Sequence, residues 1–407
     1  MAKTFKPDSR EGVLDAMRGA LENSSPLSVI GHGSKSLIGA PQPDMDVLDL
    51  SALSGVLFYE PEELVLSAKS GTPLAEIERL LAGKGQQFAF EPMDYGPLLG
   101  IEPGKGTLGG TLAANLSGPR RLKAGSARDH ILGIEAVSGR GDVFKSGGRV
   151  MKNVTGYDLS KGMAGSWGTL AVLTQVTFKV LPAAETEQTL VLRGLDDGAA
   201  AQAMALAMGS NAEVASAAHL PENVAPRVLG GALRGNAATL IRLEGFPASV
   251  AYRIQTLTRL FGGKGDVLED PQSRLLWREI RDCVPFADGS QRPVWRISVA
   301  PMQGHVLVDA FRRHAAADAF YDWQGGLVWL RMEGEPEAGP LRALIASLGG
   351  GHATLVRASP AQRASLPVFQ PQPPALAALS VRLKAQFDPS GILNPGRLGI
   401  DLQGEPS

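Results

Sequence analysis

The chain has 407 residues, of which 44% are hydrophobic and 20% charged, as expected for a globular protein of two or three domains. Its 40 Lys and Arg nearly balance its 41 Asp and Glu, which excludes the overall basic charge that binds nucleic acid or anionic membranes. Cys283 is the single cysteine, so an internal disulfide and an iron–sulfur cluster held by four thiolates are both excluded.

The N-terminal part of the sequence alternates helix and strand patterns. No apolar run reaches the ~18 residues of a membrane span, and the first residues lack the apolar core of a secretory signal. Residues 9–23 are predicted to form an amphipathic helix capped by Ser9. Thr72 and Pro73 are predicted to open a second helix, with Thr72 as its cap. Strands are predicted at 27–30, 46–50, 55–59 and 64–68.

The first strand runs directly into a glycine-rich loop, Gly31-His-Gly-Ser-Lys-Ser-Leu-Ile-Gly39. Glycines there allow positive φ, so that successive N–H groups can point into one concavity that suits a pyrophosphate. Ser34 and Ser36 would be additional donors, and Lys35 a counter-charge. The loop matches neither the dinucleotide-binding G-x-G-x-x-G pattern nor the P-loop. A tight turn after a strand is the alternative interpretation.

A second segment, Gly104 to Gly118, has almost no large side chains. Its composition would let a flat, rigid ligand lie against the backbone, while Thr107, Thr111, Asn115 and Ser117 satisfy the ligand's polar edge. Close packing of a helix on a sheet also selects small residues and is the alternative.

A hairpin is predicted next, with strands at 131–137 and 142–145 around Gly139-Arg-Gly141. A third glycine-rich segment follows, from Asn153 to Lys161 and from Gly165 to Thr174. It leads into a strand at 169–181, whose backbone from Thr169 to Val172 is expected to be free to pair with a ligand. Alternation along that strand predicts that one face carries Leu170, Val172, Thr174, Val176, Phe178 and Val180.

After a boundary at residues 183–187 the pattern changes to strands alternating with longer helices. Two split βαβ units, side by side, would explain this order. Strands are predicted at 189–192, 239–243, 294–299, 327–332 and 354–357, and helices at 199–208, 249–261, 304–315 and 340–348. A proline-rich linker at 370–374 then leads to a last helix at 375–387 and to a turn-rich segment at 387–398.

Taken together, these motifs resemble those of a known family. The Gly31 loop, the Gly104–Gly118 segment, Lys152-Asn-Val-Thr-Gly-Tyr-Asp-Leu159 and Gly165-Ser-Trp-Gly-Thr-Leu170 are similar, in this order, to the FAD-binding fold of vanillyl-alcohol oxidase and p-cresol methylhydroxylase. Within that superfamily the chain most resembles the FAD-binding (E) subunits of bacterial glycolate oxidase, whose ending is similar to Phe387-Asp-Pro…Asn-Pro-Gly396.

The resemblance implies an α+β fold with three parts. Residues 8–182 would form an FAD-binding domain of two α+β subdomains. Residues 186–372 would form a ferredoxin-like cap, and residues 373–398 would return to the FAD-binding domain.

The resemblance also implies a set of residues that contact FAD. It assigns this role to Gly31, His32, Gly33, Ser34, Lys35, Ser36, Gly39, Thr107, Leu108, Gly109, Gly110, Ala113, Asn115, Ser117, Gly118, Asp129, Gly165, Thr169, Leu170 and Val172. For His32, an exposed position in the loop is the alternative. Relatives with a covalent flavin have histidine just before the loop's serine, whereas this chain has Lys35 before Ser36, so noncovalent FAD is expected. No metal site is expected.

The activity implied is oxidation of glycolate, or a related 2-hydroxy acid, to the oxo acid. The partners implied are a second, catalytic FAD-containing subunit and an iron–sulfur subunit. The chain is then expected in the cytoplasm, or at the inner face of the membrane through its partners. Arg296 is the best candidate for holding a substrate carboxylate, whereas His305, His314 and His352 form no recognisable cluster, so the catalytic base is not identified.

Two other functions fit the same sequence. One is a self-sufficient FAD-dependent dehydrogenase or oxidase of another 2-hydroxy acid or alcohol. The other is a non-catalytic scaffold subunit that carries a flavin.

Overall fold

The computed structural model of the chain describes residues 2–42, 45–149 and 156–399. The part before residue 183, called here the N-terminal half, contains ten strands and seven α-helices within the described residues. They are β1 (Thr4–Phe5), α1 (Arg10–Glu22), β2 (Leu27–Ile30), β3 (Asp46–Asp49), β4 (Val56–Glu60), β5 (Val65–Lys69), α2 (Leu74–Ala82), β6 (Gln86–Gln87), α3 (Gly96–Leu99), α4 (Leu108–Ala113), α5 (Arg121–Ala124), α6 (Ala127–His130), β7 (Ile131–Ser138), β8 (Val143–Gly147), α7 (Leu159–Met163), β9 (Ala171–Lys179) and β10 (Leu181–Pro182).

The following part, called here the cap, contains the longer helices. Its elements are β11 (Thr186–Arg193), α8 (Asp197–Met208), β12 (Ser216–Leu220), β13 (Ala238–Gly245), α9 (Pro247–Leu260), β14 (Asp266–Leu268), α10 (Asp270–Arg281), β15 (Val294–Ser298), α11 (Gly304–Arg312), β16 (Ala317–Asp322), β17 (Leu327–Met332), α12 (Ala338–Ser347) and β18 (His352–Arg357). Helices α13 (Pro360–Ser365) and α14 (Pro374–Phe387) follow it.

The N-terminal half is built on two main sheets. Strands β1, β3 and β2 form a parallel sheet in that order, and β4, β5, β9, β7 and β8 form an antiparallel one. Apolar residues of α1, among them Val13 and Met17, pack on the parallel sheet. Ile77 of α2 and Leu112 of α4 pack on the antiparallel sheet. The glycine-rich segments lie where these two layers meet.

Local signals predicted the caps of two helices, and one of the two predictions is confirmed. The Ser9 side chain caps α1 by accepting from the Gly12 N–H, as expected. The predicted cap of α2 is wrong: Pro73 occupies the N-cap position, and the Thr72 hydroxyl instead donates to the Lys69 carbonyl at 2.7 Å. The hydroxyl also accepts from the Gly55 N–H, so Thr72 fixes a turn and not a helix.

The alternation predicted for the long strand is wrong at its beginning. In β9, Leu173 pairs with Ala136 and Gln175 pairs with Glu135 of β7, so Thr174 is the extra residue of a β-bulge. The bulge reverses the faces, because side chains alternate with period two along a strand. Ala171 and Leu173 therefore share a face with Val176 and Phe178, while Val172 packs into the core beside the parallel sheet.

The cap contains one continuous antiparallel sheet of eight strands, in the order β14-β11-β13-β12-β16-β17-β15-β18. Its first four strands belong to one split βαβ unit and its last four to a second one, which confirms the two units predicted from the sequence. The units meet at the β12–β16 edge, through the pairing of His219 with Tyr321. The prediction did not include β12, β14, β16 or α10.

The cap and the N-terminal half share a buried interface. The Arg120 guanidinium binds the Glu244 carboxylate with its Nε 2.9 Å from Oε1. Arg242 of β13 reaches Glu91 at 2.9 Å and Glu187 at 2.8 Å, and it is only 3% exposed. Met93, Tyr95 and Leu99 of the N-terminal half belong to the same hydrophobic core as the cap sheet. The two parts therefore pack through both apolar and ionic contacts.

The C-terminal segment returns to the parallel sheet. The Leu27 N–H donates to the Ile392 carbonyl at 2.7 Å, and the Val29 N–H donates to the Asn394 side chain at 2.8 Å. Buried Lys384 of α14 pairs with Asp388 and donates to the Leu393 carbonyl at 2.9 Å. Within the ranges that the structure describes, no helix is long and apolar enough to cross a membrane.

Candidate functional site

A cavity lies between the two main sheets of the N-terminal half, and its empty space of about 750 Å³ includes solvent at the open mouth. We call it the central cavity. It is lined by Val29, Ile30, Gly31, His32, Gly33, Ser34, Lys35, Ser36, Leu50, Ser70, Thr107, Gly109, Gly110, Ala113, Ala114, Ser166, Trp167, Gly168, Ala171, Leu173 and Arg397.

The loop after β2 presents unpaired backbone donors to the central cavity. Among the described residues, the N–H groups from His32 to Lys35 find no hydrogen-bond acceptor. Gly33 has φ +74°, in the left-handed region that favours glycine and lets successive N–H groups converge. A side chain at Gly31 would collide with Thr107, since its Cβ would lie 2.7 Å from the Thr107 Oγ1. The loop thus forms an anion-binding concavity against the start of α4.

Two cationic side chains border this concavity. The Lys35 ammonium donates to the Ser34 hydroxyl at 3.1 Å, and burial lowers the pKa of Lys35 to about 8. Arg397 donates through Nη2 to the Lys35 carbonyl at 2.7 Å, and its Nε is buried without a partner among the described residues. Burial also lowers the pKa of Arg397, to about 10. Asp94 attracts Lys35 at a distance, but within the described residues neither cation forms a salt bridge, and together they favour an anionic ligand.

The second segment packs directly against the loop after β2 and forms the adjacent wall, and its centre is helical rather than a loop. Thr107 caps α4 by accepting from the Gly110 N–H. A Cβ on Gly109 would lie 2.6 Å from the Ser70 Cβ, so a glycine is required for α4 to pack on the end of β5. The Ser70 hydroxyl is buried at the cavity and has no partner among the described residues. It is therefore available to a ligand.

The third wall comes from the segment before β9 and from the C-terminal segment. Trp167 has φ +51°, and its carbonyl accepts from the Asn394 Nδ2 at 2.8 Å. The Arg397 guanidinium carbon lies 5.5 Å from the centre of the Trp167 ring system. Because of the Thr174 bulge, Ala171 and Leu173 face the cavity and give it an apolar surface. Flat apolar walls and converging donors thus meet in one site.

Half of the predicted FAD contacts line the central cavity. They are Gly31, His32, Gly33, Ser34, Lys35, Ser36, Thr107, Gly109, Gly110 and Ala113. The other ten lie outside its lining, namely Gly39, Leu108, Asn115, Ser117, Gly118, Asp129, Gly165, Thr169, Leu170 and Val172. Ser70, Trp167, Ala171, Leu173 and Arg397 line it without having been predicted.

Several residues outside the lining hold the fold together. The Asn115 side chain accepts from the Arg128 N–H, and the Asp129 carboxylate forms a capping box with Ser126. The backbone of Thr169 is already bonded, because its N–H donates to Ser166 and its carbonyl accepts from Lys384 at 2.7 Å. It is therefore not free to pair with a ligand, contrary to expectation. The motif from Lys152 to Thr155 lies outside the described residues.

The cap residues singled out from the sequence lie apart from one another. His305 and His314 lie on and just after α11, and His352 begins β18, so the three histidines do not converge. Arg296 of β15 lies beside Trp323, at the interface with the N-terminal half. No group of three or more His, Cys, Asp or Glu side chains is placed to hold a metal in the part of the chain that the structure describes.

Comparison with known proteins places this geometry in context. Residues 1–147 match a family model described as an FAD binding domain. The chain is 33% identical over 396 residues to "Glycolate oxidase subunit GlcE" of Escherichia coli, covering 97% of this chain and 99% of that protein. It is 32% identical over 183 residues to "Glycolate oxidase subunit GlcD" of Bacillus subtilis, covering 44% of this chain and 38% of that protein.

Solved structures show the same fold. p-Cresol methylhydroxylase with bound substrate superposes with a TM-score of 0.74 at 15% identity, covering 99% of this chain and 89% of that one. A 4-ethylphenol oxidase from Gulosibacter chungangensis superposes with a TM-score of 0.71 at 14% identity, over 98% and 89% of the two chains. The predicted α+β fold of this type is therefore confirmed.

The central cavity fits FAD on three independent features. The unpaired N–H groups after β2 and the cations Lys35 and Arg397 suit a pyrophosphate. The buried Ser70 hydroxyl has no hydrogen-bond partner among the described residues, so it can bond to a ligand. The glycines of α4 let a ligand approach the backbone closely.

The lowered pKa of Lys35 predicts a pH dependence of FAD binding. A bound pyrophosphate favours the charged ammonium, so above the pKa of about 8 FAD must restore a proton that the FAD-free protein has lost. We expect affinity to fall between about pH 7 and about pH 9, by up to tenfold per pH unit above the pKa. Fluorescence titration of the FAD-free protein measures this.

Two variants of Lys35 separate its charge from other effects of pH. Lys35→Arg stays charged and should show a flat profile. Lys35→Gln should bind FAD more weakly at neutral pH and also lose the slope. If Lys35→Gln keeps the slope of the unmodified chain, another group carries the titration.

Proposed function

The chain belongs to the glycolate oxidase subunit GlcE family of FAD-dependent oxidoreductases, and on this premise we propose that it is the FAD-binding subunit of a glycolate oxidase complex. Identity extends over 97% of the chain, so it includes the cap as well as the FAD-binding region. The observation that carries the proposal is the central cavity, whose unpaired donors, cations and apolar wall match the parts of FAD.

In this proposal each wall of the central cavity contacts a different part of FAD. The loop from His32 to Lys35 binds the pyrophosphate through its N–H groups, and Lys35 and Arg397 balance its charge. Ala171 and Leu173 contact the flat ring system and exclude water from it. FAD, when bound, accepts the two electrons and two protons that are released when glycolate becomes glyoxylate.

We propose further that FAD is held noncovalently. Lys35 lies next to Ser36, where tethered relatives carry histidine, and its ammonium donates to Ser34 inside the cavity. The Lys35 ammonium would therefore neutralise part of the negative charge of the pyrophosphate, and it would not form a covalent bond to the flavin. His32 lines the cavity but precedes the tethering position by three residues.

Electron transfer beyond the flavin is proposed to use partners. The chain has a single cysteine, Cys283, which is buried, and burial raises its pKa well above the usual value. Four thiolates are needed for a common iron–sulfur cluster, so the relay must come from elsewhere. A second FAD-containing catalytic subunit and an iron–sulfur subunit would supply it. The expected location, in the cytoplasm or at the inner membrane face through these partners, stays a prediction.

Reconstitution tests the proposal. The isolated chain should carry FAD but bleach slowly or not at all when glycolate is added without oxygen. Adding the second flavoprotein subunit and the iron–sulfur subunit should restore turnover with an artificial acceptor. Omitting this chain from the mixture is the control and should abolish turnover.

Two outcomes would contradict the proposal, and each favours one alternative. Rapid bleaching of the isolated chain by glycolate would make it a self-sufficient dehydrogenase. Turnover by the partners alone, at the rate of the complete mixture, would make this chain a scaffold.

A further inference from the structure

Two arginines flank one tryptophan at the interface between the two halves. The guanidinium carbon of Arg296, on β15 of the cap, lies 4.9 Å from the centre of the Trp323 ring system. That of Arg121, on α5 of the N-terminal half, lies 5.6 Å from the same centre. Within the described part of the chain neither guanidinium has a carboxylate partner or a hydrogen-bond acceptor.

This lack of partners sets the pair apart from the other arginines of the interface. Arg120 is paired with Glu244, Arg242 with Glu91 and Glu187, and Arg281 with Asp282. Two cations near each other repel. Asp129 attracts Arg121 and Asp322 attracts Arg296 at longer range, but neither carboxyl forms an ion pair with them, and both guanidinium groups lie over an aromatic ring instead. The arrangement leaves both guanidinium forks available for an external anion.

The tryptophan that both arginines contact is held in a strained turn. Trp323 and Gln324 have φ of +52° and +61°, which costs free energy for residues other than glycine. The Asp322 carboxylate accepts from the Trp323 N–H, and the indole Nε1 donates to the Gly118 carbonyl at 2.9 Å. The bond to Gly118 crosses the interface, and the two bonds together fix the ring system. Strain that surrounding bonds maintain is typical of a binding site.

A neutral histidine borders the same place. His352 pairs with Ser298, two residues beyond Arg296 on β15, so the three side chains share one face of the cap sheet. Burial of part of the ring lowers the pKa of His352, and the charges of Arg296 and Arg121 lower it further. It therefore adds no third positive charge. The surroundings suit a ligand with a single small anionic group.

We propose that Arg121 and Arg296 together bind the carboxylate of a small acid, clamping it between the two halves beside Trp323. A carboxylate is planar and matches a guanidinium fork with two parallel hydrogen bonds. The central cavity, in contrast, offers a lysine and several unpaired N–H groups, which suit a phosphate. The choice of a 2-hydroxy acid as ligand rests on the proposed function, whereas the carboxylate site does not.

Binding of a non-oxidisable carboxylate tests the site apart from catalysis. Oxalate should raise the melting temperature of the FAD-loaded chain and perturb its flavin spectrum. Arg121→Gln and Arg296→Gln should each weaken oxalate binding by about tenfold or more, with FAD content unchanged. Arg296→Lys keeps a charge but not the fork and should bind oxalate with intermediate strength. Lys123→Gln, on the exposed side of α5, is the control and should bind as the unmodified chain does.

The outcomes separate this inference from the proposed function. In the complete complex, both glutamine variants should raise the KM for glycolate by a similar factor. If oxalate binding is lost in the variants while no complex oxidises glycolate, the site stands and the proposed function fails. Unchanged oxalate binding and KM in both variants would overturn the site while leaving the function intact. Equal protection by inorganic phosphate would overturn its assignment to a carboxylate.

Discussion

Replacement of Gly110 by valine should produce a folded chain that no longer retains FAD. A Cβ at this position would lie 3.1 Å from the Thr107 Oγ1 and 3.3 Å from the Lys35 Nζ, on the wall of the central cavity. The branched side chain would occupy the space that the cofactor needs and displace the ammonium that faces it. Affinity should fall by at least tenfold, roughly 1.4 kcal/mol or more.

The measurement is the flavin released by acid precipitation, set against the protein recovered. From the unmodified chain all the colour should pass into the supernatant, because FAD is proposed to be noncovalent; colour left in the pellet would contradict that proposal. Gly162→Val is the matched control, since a Cβ on Gly162 of α7 would meet no heavy atom within 4 Å. Near-stoichiometric FAD in Gly110→Val, bound with normal affinity, would show that the cofactor lies elsewhere.

Replacement of Arg242 by methionine should cause the largest loss of stability. Arg242 is buried and lies 2.9 Å from Glu91, 2.8 Å from Glu187 and 2.7 Å from Glu244. Methionine fills similar space but leaves these carboxylates facing one another without their shared cation. Breaking a buried ion pair by removing one partner costs about 3–5 kcal/mol, so we expect a loss of this size.

Denaturant unfolding of the FAD-saturated proteins measures this loss. Arg313→Ala is the control, because Arg313 and Asp309 form a pair whose side chains are 70% and 75% exposed. Such exposed pairs contribute about 0.5 kcal/mol or less. If the unfolding midpoints of the two variants coincide, the buried network does not hold the cap to the N-terminal half.

The parts of the site that could be predicted are those formed by residues that are contiguous in the sequence. The residues from Gly31 to Ser36 are contiguous, and their glycines alone indicate a turn with free N–H groups. The Gly104–Gly118 segment had two interpretations; the packing of a helix on a sheet is seen at Gly109, and contact with a ligand stays a prediction. Gly109 packs tightly on Ser70, as a helix on a sheet requires, while Gly110 lines the cavity next to it.

The parts that were missed depend on distant pairings. Arg397 reaches the Lys35 carbonyl across 362 positions of sequence, and nothing in its local motif assigns it to a cavity. The Arg120–Glu244 pair joins residues 124 positions apart. Ser70 becomes a cavity residue only because α4 packs against it. Contacts between residues so far apart in the sequence produce no periodic pattern of hydrophobic residues from which they could be predicted.

The Thr174 bulge shows why a strand can be predicted correctly while its buried face is predicted wrongly. Alternation predicts the strand well, but a single extra residue reverses every side chain on one side of it. The Thr174 hydroxyl donates to the Glu135 carbonyl at 3.0 Å, which stabilises the bulge through a partner in another strand. The reversal exchanges Val172 for Ala171 and Leu173 at the cavity.

The place of the C-terminal segment in the fold also sets the timing of cofactor loading in the cell. Asn394 and Arg397 complete the wall beside Trp167, yet the ribosome makes them about 360 residues after the loop that they close upon. At common rates of synthesis this delay is roughly 20 to 70 seconds. During that time the cavity lacks one wall, so we expect FAD to be bound firmly only after residues 394–397 have left the ribosome.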